Sequence, residues 1–279
     1  MSTHFQNRAW FATTLLIGAV MTLAGCCTTS RTGAGHAGQA KLAAAVADPA
    51  RTPAFIARDP ARHPLEELTF FGVTPSMTVV ELWPGGGYWT EILGPYLAAK
   101  GHYYVALQAL GDEADTAKWQ ERVAAQGARF GTITETKLGA GEYEIAPAGS
   151  ADMVLTFRNL HNWMKGGYAD QALAACFKAL KPGGIFGIEE HRGSNDTPQD
   201  KQAKSGYVRQ DYAIALVEKA GFKLVGQSEI NANPKDTKDW PGGVWTLPPT
   251  LSQGDKDRDK YLAIGEADNF ILKFQKPAS

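Results

Sequence analysis

The chain has few cysteines and almost no net charge. Only Cys26, Cys27 and Cys176 occur among 279 residues, and no pair has the C-x-x-C spacing. This excludes a disulfide framework and a cysteine-based zinc site. The six histidines show no metal-ligand spacing, so no metal is expected. A net charge of −1 at pH 7 without a basic patch argues against a nucleic-acid partner.

A long apolar run is also missing. The longest, residues 10–24, is too short to span a bilayer comfortably. It follows a weakly positive start with Arg8 and ends in LAGC at 23–26. This ending resembles the lipobox of bacterial lipoproteins. The resemblance implies that 1–25 is a signal peptide, that Cys26 is acylated, and that the chain is lipid-anchored to a membrane of the bacterial cell envelope, outside the cytoplasm. The alternative is a short membrane anchor with a chance cysteine.

The residues after this signal change in composition. Residues 26–52 are rich in Ala, Gly, Thr and Ser, which predicts a flexible tether with a short helix near 41–47. The folded domain is expected over 53–279. Its length is sufficient for one large domain with a substantial core.

The most informative segment is a strand, a glycine loop and a helix over 79–93. Residues 79–82 form an apolar run typical of a strand covered on both faces, and 84–87 (PGGG) forces a turn. Backbone N–H groups at the start of the following helix can approach a ligand closely, because glycine has no side chain. Glu81, at the carboxyl end of the strand, is placed to accept hydrogen bonds from that ligand. Ligands of open α/β sheets bind at this edge.

Strands and helices alternate through the rest of the chain. Further strands are predicted at 102–108, 129–136, 152–157, 185–189, 222–230 and 270–274, and helices at 64–71, 115–125, 168–180 and 208–220. This alternation predicts an α/β fold with a mostly parallel, seven-stranded sheet that helices cover on both faces. The last two strands lack a helix of ordinary length between them, so we expect them to pair antiparallel.

This order resembles the class I S-adenosylmethionine-dependent methyltransferases, which have a Rossmann-like fold. Residues 81–87 (ELWPGGG) match their acidic-then-glycine loop, and 180–184 (LKPGG) match a frequent helix end. Residues 152–154 match the fourth strand beside the reacting centre. More narrowly, RHP at 62–64 and FILKFQKP at 270–277 are similar to a bacterial group of predicted methyltransferases.

The resemblance implies S-adenosylmethionine as cofactor and methyl transfer to a small molecule. By position, it assigns cofactor binding to Glu81, Gly85, Gly86, Gly87, Tyr88 and Gln108.

Three positions depart from the family pattern. Trp83 replaces the usual first glycine of the loop, so its indole either closes the cofactor cleft or packs beneath the loop. Gln108 replaces the acid that takes the ribose hydroxyls, with Asp112 and Glu113 as the nearest alternatives. The acid near the adenine is missing at 138–140, although Glu142 is near. These departures favour an alternative function, a non-catalytic envelope binding protein on a degenerate methyltransferase scaffold.

Polar residues follow the fourth strand. Asn159 and His161 are candidate catalytic residues near the methyl acceptor, with Trp163 as an aromatic wall. The alternative is a helix start at which Asn159 caps backbone N–H groups and Trp163 lies in the core.

Another polar group follows the fifth strand. His191 is a candidate general base that Glu190 orients. The alternative, which applies to Glu189 and Arg192 in particular, is a solvated loop with a salt bridge. The long segment 231–258 is either a lid that shapes the acceptor site through its tryptophans or a wrapped surface loop.

Overall fold

A seven-stranded sheet organises the chain. The computed structural model describes residues 29–111 and 113–278. The strands are β1 (Thr78–Leu82), β2 (His102–Gln108), β3 (Ile133–Leu138), β4 (Ala151–Phe157), β5 (Leu180–His191), β6 (Lys223–Ser228) and β7 (Asn269–Gln275). Their spatial order is β3-β2-β1-β4-β5-β7-β6. The pairs from β3 to β5 are parallel, whereas β7 pairs antiparallel with both β5 and β6. The predicted sheet and its antiparallel end are confirmed.

Ten helices accompany the sheet in the described ranges. They are α1 (Thr29–Val46), α2 (Pro53–Ile56), α3 (Asp59–Arg62), α4 (Pro64–Phe71), α5 (Thr90–Leu97), α6 (Glu113–Gln126), α7 (Leu160–Gly166), α8 (Ala169–Ala179), α9 (Gln210–Lys219) and α10 (Arg258–Ile264). Two apolar clusters cover the two faces of the sheet. Val79 belongs to one cluster and Val80 to the other, because side chains alternate along a strand. No helix within the described part has the length and apolarity needed to cross a membrane.

The segment before the predicted domain differs from a flexible tether. Helix α1 packs on α4 and α5. Leu42 and Ala45 are buried because their spacing of three places them on one face of the helix. Arg51 is buried too and pairs with Asp59 at 2.7 Å. The folded unit therefore begins before residue 53. The predicted signal peptide and Cys26 lie outside the described residues.

Strand β3 begins later than predicted. Gly127–Phe130 forms a 3-10 turn, and Gly131 follows it with a φ of 64°. Residues 129–132 therefore belong to the turn that precedes β3, and Phe130 is buried there. Phe130 therefore packs from a turn instead of a strand, whereas Thr132 is exposed.

Candidate functional site

The loop after β1 has the backbone that a close ligand approach requires. Trp83, Gly85 and Gly87 have φ values of 49°, 55° and 88°, in the left-handed region. A Cβ added at Gly85 would meet no atom within 4 Å. Gly85 lines two neighbouring cavities. A ligand can therefore lie directly against the backbone here.

Glu81 lies beneath this loop and is 1% exposed. Its Oε2 accepts hydrogen bonds from the hydroxyl of Thr90, at 2.7 Å, and from that of Tyr103. Its Oε1 has no hydrogen-bond partner among the described residues. Burial raises the pKa of Glu81 to about 7, against the two hydrogen bonds, which lower it. A buried carboxylate oxygen left unpaired is unfavourable for folding, so it indicates a ligand-facing group.

Two cavities meet at the glycine loop. The larger, about 670 Å³, is called the Gln108 cavity, and its wall includes Gln108, Leu110, Trp119, Leu138 and Tyr168. The smaller, about 370 Å³, is called the arginine cavity, and its wall includes Arg58, Arg62, Arg158, His161, His191 and Trp245. Both share Trp83, Pro84, Gly85, Gly86, Asn159 and Asn162. These volumes are in the range of small-molecule sites, about 300–1,000 Å³.

Trp83 forms part of the wall between these cavities. Its indole Nε1 donates to the carbonyl of Leu138 at 3.1 Å. Its ring meets Trp163 edge-on at 6.3 Å and lies 6.3 Å from Tyr168. The indole is thus fastened to the core, and both cavities remain beside it. The sequence left two interpretations of Trp83 open, and this geometry favours packing of the indole beneath the loop over closure of the cofactor cleft.

The predicted cofactor residues do not all face a cavity. Gln108 lies at the end of β2 in the wall of the Gln108 cavity, and Gly86 lines both cavities, with an added Cβ only 3.4 Å from Phe55. Gly87 lines neither, and a Cβ there would meet the Arg122 side chain at 2.9 Å. Gly87 therefore shapes the turn and the packing behind it. Asp112 lies outside the described residues.

Tyr88 is a wall residue of the arginine cavity. Its hydroxyl donates to Asp59 at 2.6 Å. Burial and the neighbouring carboxylate raise its pKa above the ordinary value. The guanidinium of Arg62 lies over its ring at 4.4 Å. The hydroxyl is therefore already engaged within the protein, and Tyr88 supports Arg62.

Asn159 fastens the glycine loop to β4. Its amide donates to the carbonyl of Leu82 at 3.0 Å and to the hydroxyl of Thr156 at 3.2 Å. It precedes α7 but makes no side-chain cap. Asn159 thus holds the loop in place, a role that neither sequence interpretation described. Trp163 is fully buried, as the core interpretation expected.

Glu190 orients His161, whereas the sequence suggested that it orients His191. The imidazole Nδ1 of His161 lies 2.9 Å from Glu190 Oε1, and its backbone N–H donates to Oε2 at 3.0 Å. Burial raises the pKa of Glu190, but the nearby His161 outweighs it, and the pKa is lowered. Both histidine rings line the arginine cavity, with centroids 5.4 Å apart.

His191 is positioned by Asn269 instead. Its Nδ1 lies 2.8 Å from Asn269 Oδ1, while the Asn269 amide donates to Glu189 at 3.2 Å. This orientation of the amide assigns the ring proton to Nδ1 and leaves Nε2 as an acceptor. Burial lowers the pKa of His191 to about 3, although the charge of Glu190 opposes it. His191 is therefore a neutral base at pH 7.

His161, Glu190 and His191 also form a group whose potential metal-ligating atoms lie within 4.8 Å of one another. The sequence spacing did not indicate this group, because α7 and β5 bring it together. Since His161 already bonds to Glu190, the group suits proton handling.

Two further predictions concern the surroundings of this group. Glu189 is fully buried in β5, so the solvated-loop interpretation is wrong for it. Within the long segment 231–258, Trp245 lines the arginine cavity beside His161, at 5.9 Å. Trp240 packs on Tyr261, at 5.8 Å, outside both cavities.

Sequence reasoning missed the arginine cluster. Arg58 pairs with Glu266 at 2.6 Å, and Arg158 with the same carboxylate at 3.1 Å. Arg62 reaches it only at 3.4 Å. These residues lie up to 208 positions apart in the sequence, so no local sequence pattern predicts the cluster. The RHP motif at 62–64, which contains Arg62, was the one sequence feature singled out that includes a residue of the cluster.

Comparison with solved structures supports this architecture. An S-adenosylmethionine-dependent methyltransferase from Aquifex aeolicus is 16% identical, with 85% of this chain and 98% of that chain covered and a TM-score of 0.53. Phosphoethanolamine N-methyltransferase 2 of Haemonchus contortus, in complex with S-adenosyl-L-methionine, is 17% identical, with 77% and 52% covered and a TM-score of 0.52. The cyclase SpnF is 14% identical, with 88% and 97% covered and a TM-score of 0.55.

The fold is therefore that of the class I methyltransferases, with a seven-stranded Rossmann-like sheet. No protein-family model matches the chain, and no curated protein matches it either. Identities this low show the fold alone, so function depends on the site itself.

Proposed function

We propose that the protein transfers a methyl group from S-adenosylmethionine to a small molecule. The observation that carries this proposal is the unpaired Glu81 Oε1 beneath a loop whose Gly85 backbone is open to both cavities. A buried acceptor next to an accessible backbone suits a ligand with an ammonium or hydroxyl donor. These residues fit the cofactor, which also suits the fold of the two methyltransferases above.

Glu81, Gly85, Gly86 and Gln108 would hold the cofactor, which supplies an electrophilic methyl group on a sulfonium. The arginine cavity, whose wall also includes Glu81, would hold the acceptor. There, Nε2 of His191 would accept a hydrogen bond from the acceptor, and His161 with Glu190 fixes the neighbouring wall. Trp245 helps to exclude water. Most of the rate enhancement comes from holding the reacting groups in line, with modest acid–base assistance.

We also propose that the protein acts as a lipoprotein of the bacterial cell envelope. The support is the LAGC sequence at 23–26, with a short apolar run before it. Acylation at Cys26 and removal of 1–25 would attach the domain to a membrane outside the cytoplasm.

Trp83 and Gln108 favour a second candidate, a non-catalytic binding protein on the same scaffold. Trp83 stands where the family has glycine, and Gln108 where it has an acid. The envelope location that we propose agrees with this candidate, because S-adenosylmethionine is generally a cytoplasmic metabolite. The similarity to a cyclase also illustrates that this fold is not limited to methyl transfer.

Calorimetric titration of the purified protein with S-adenosylmethionine tests the proposal. We expect saturable binding at one site, with competition by S-adenosylhomocysteine, which has the same adenosine and amino-acid groups. ATP, which shares only the adenosine, should compete far less. Absence of binding at millimolar cofactor would contradict the proposal and favour the second candidate.

A further inference from the structure

Three guanidinium groups converge on one carboxylate in the arginine cavity. Arg58 binds Glu266 through two nitrogens, at 2.6 and 2.8 Å, and Arg158 adds a contact at 3.1 Å. Burial raises the pKa of Glu266, but the hydrogen bond from Arg58 and the charges of Arg62 and Arg158 lower it to about 2. Glu266 is therefore ionised, and its two oxygens are largely used by Arg58.

Arg62 is left without a close anionic partner. It is 4% exposed, and its one ion pair among the described residues is the 3.4 Å contact from Nε to Glu266. Its terminal nitrogens have no acceptor in the described part of the chain, and its plane lies over the Tyr88 ring. Burial, followed by the charge of Arg158, lowers the pKa of Arg62 to about 9. A buried guanidinium with unused donors is a strong anion-binding group.

The carboxylates behind the cluster do not relieve this deficit. Burial and the charge of Glu189 raise the pKa of Glu67 well above its ordinary value. Glu189 lies 3.7 Å from Arg158, and its charge also acts on Arg62 without an ion pair between them. No carboxylate in the described part of the chain pairs with the terminal nitrogens of Arg62, so these donors remain for a ligand that enters the cavity.

The rest of the cavity wall is mostly apolar. Aromatic, valine and proline side chains line it, namely Phe55, Trp89, Phe157, Val244, Trp245 and Pro248. Trp89 and Phe157 stack at 4.0 Å and give one side a flat surface. This composition suits a ligand with an apolar or aromatic body and one acidic group.

We propose that the methyl acceptor is an oxyanion-bearing small molecule, a carboxylate or a phosphate monoester with an apolar body, and that Arg62 binds its acidic group. This inference rests on the proposed function and names the substrate class of the same site. Arg158 and Arg58 add positive charge around the bound anion, while the body of the ligand lies between Trp89 and Trp245. His191 then lies on the wall of the same cavity as the acceptor, where its Nε2 can accept a hydrogen bond.

Binding of simple probes tests the inference without an identified substrate. Benzoate, phenyl phosphate and neutral benzamide share one aromatic ring and differ in the acidic group. Each is titrated calorimetrically into the wild-type protein, Arg62→Gln and Arg129→Gln. Arg129 is a matched control, since it is 19% exposed, pairs with Asp48 at 2.7 Å and lines neither cavity.

We expect at least one acidic probe to bind about tenfold or more tightly than benzamide, and this preference to fall by about tenfold in Arg62→Gln but not in Arg129→Gln. The tighter of the two acidic probes assigns carboxylate or phosphate. Equal affinity for benzamide and both acids, or full acid affinity in folded Arg62→Gln, would overturn the inference. If Arg62→Gln does not fold, the preference of the wild-type protein for the acidic probes over benzamide tests the inference on its own.

Titration of the same samples with S-adenosylhomocysteine separates the two proposals. Binding of S-adenosylhomocysteine without any acid preference overturns the oxyanion inference and leaves the proposed function in place. Acid binding through Arg62 without S-adenosylhomocysteine binding supports the oxyanion site and counts against the methyltransferase.

Discussion

Replacement of Glu81 by glutamine should stabilise the protein at alkaline pH while it weakens cofactor binding. Glutamine keeps the shape of the side chain and an oxygen that accepts from Thr90 and Tyr103, but it removes the ionisable group. The second half of the amide then occupies the place of the unpaired Oε1. If Glu81 were retained for folding alone, its replacement by glutamine would lower the stability of the protein.

The magnitude follows from the pKa of Glu81, which burial raises from 4.5 to about 7. Between these values the native state retains a proton that the unfolded state releases, so stability falls as the pH rises through this window. Each pKa unit corresponds to about 1.4 kcal/mol, so ionisation lowers the free energy of unfolding by about 3 kcal/mol once the pH is well above 7. Glu81→Gln should therefore be more stable than wild type by up to about 3 kcal/mol near pH 8.5 and about equal near pH 4.5.

Urea unfolding of both proteins near pH 5 and pH 8.5 measures this difference, and the other titrating groups cancel between them. Glu142→Gln serves as a control, because Glu142 is 56% exposed and pairs with Lys137 only at 3.7 Å. Its effect should be small at both pH values. A Glu81→Gln protein that is less stable at both pH values, or a difference that does not change with pH, would refute the reasoning.

Two further predictions concern the loop and the anchor. Gly85→Val should weaken S-adenosylmethionine binding by about tenfold or more, since a side chain takes the space for backbone approach. Gly127→Val is the matched control, because Gly127 has a φ of 48°, close to the 55° of Gly85, equally open Cβ space and no place in either cavity wall. Both variants should lose similar stability, and equal cofactor affinity in both would remove the site from this loop. Cys26→Ser should abolish membrane attachment or leave an uncleaved precursor in fractionated cells, since burial contributes about 0.8 kcal/mol per CH₂ of each acyl chain. Maturation to the same size with retained membrane binding would disprove the lipoprotein interpretation.

The sheet and its glycine loop were predictable because they depend on local chemistry. Apolar runs such as 152–157 identify buried strands, and PGGG at 84–87 marks a turn by its own backbone preferences. Only a short helix near 41–47 was expected before the domain, so the length and packing of α1 (Thr29–Val46) were not predictable in this way. Its sequence is rich in Ala and Gly, and its stability comes from Leu42 and Ala45 packing on helices later in the chain.

The arginine cavity could not be predicted from the sequence, for a different reason. Arg158 follows β4, Glu266 precedes β7 and Arg58 lies between α2 and α3, so only the tertiary structure brings the three together. The partner of Glu190 was misassigned because the neighbour in sequence, His191, is not the neighbour across the sheet edge. His161, on α7, holds that place. Ion pairs of such large sequence separation require the tertiary structure.

The central claim is that the natural protein binds S-adenosylmethionine, with Trp83 as a fixed wall of the site. Trp83→Gly probes this directly. The variant loses the packing of a half-buried tryptophan, which is less than the roughly 3–5 kcal/mol of a fully buried one, but relieves about 1–2 kcal/mol of left-handed backbone strain at a φ of 49°. The free energy of unfolding should therefore fall by at most about 4 kcal/mol.

Calorimetric titration of wild-type and Trp83→Gly proteins with S-adenosylmethionine is the decisive measurement. The account predicts saturable binding by the wild-type protein and no gain of affinity in the variant, because the indole bonds to Leu138 and leaves the cavities open beside it. Binding that arises only after Trp83→Gly would show that the indole blocks the cofactor cleft, and it would contradict the methyltransferase account.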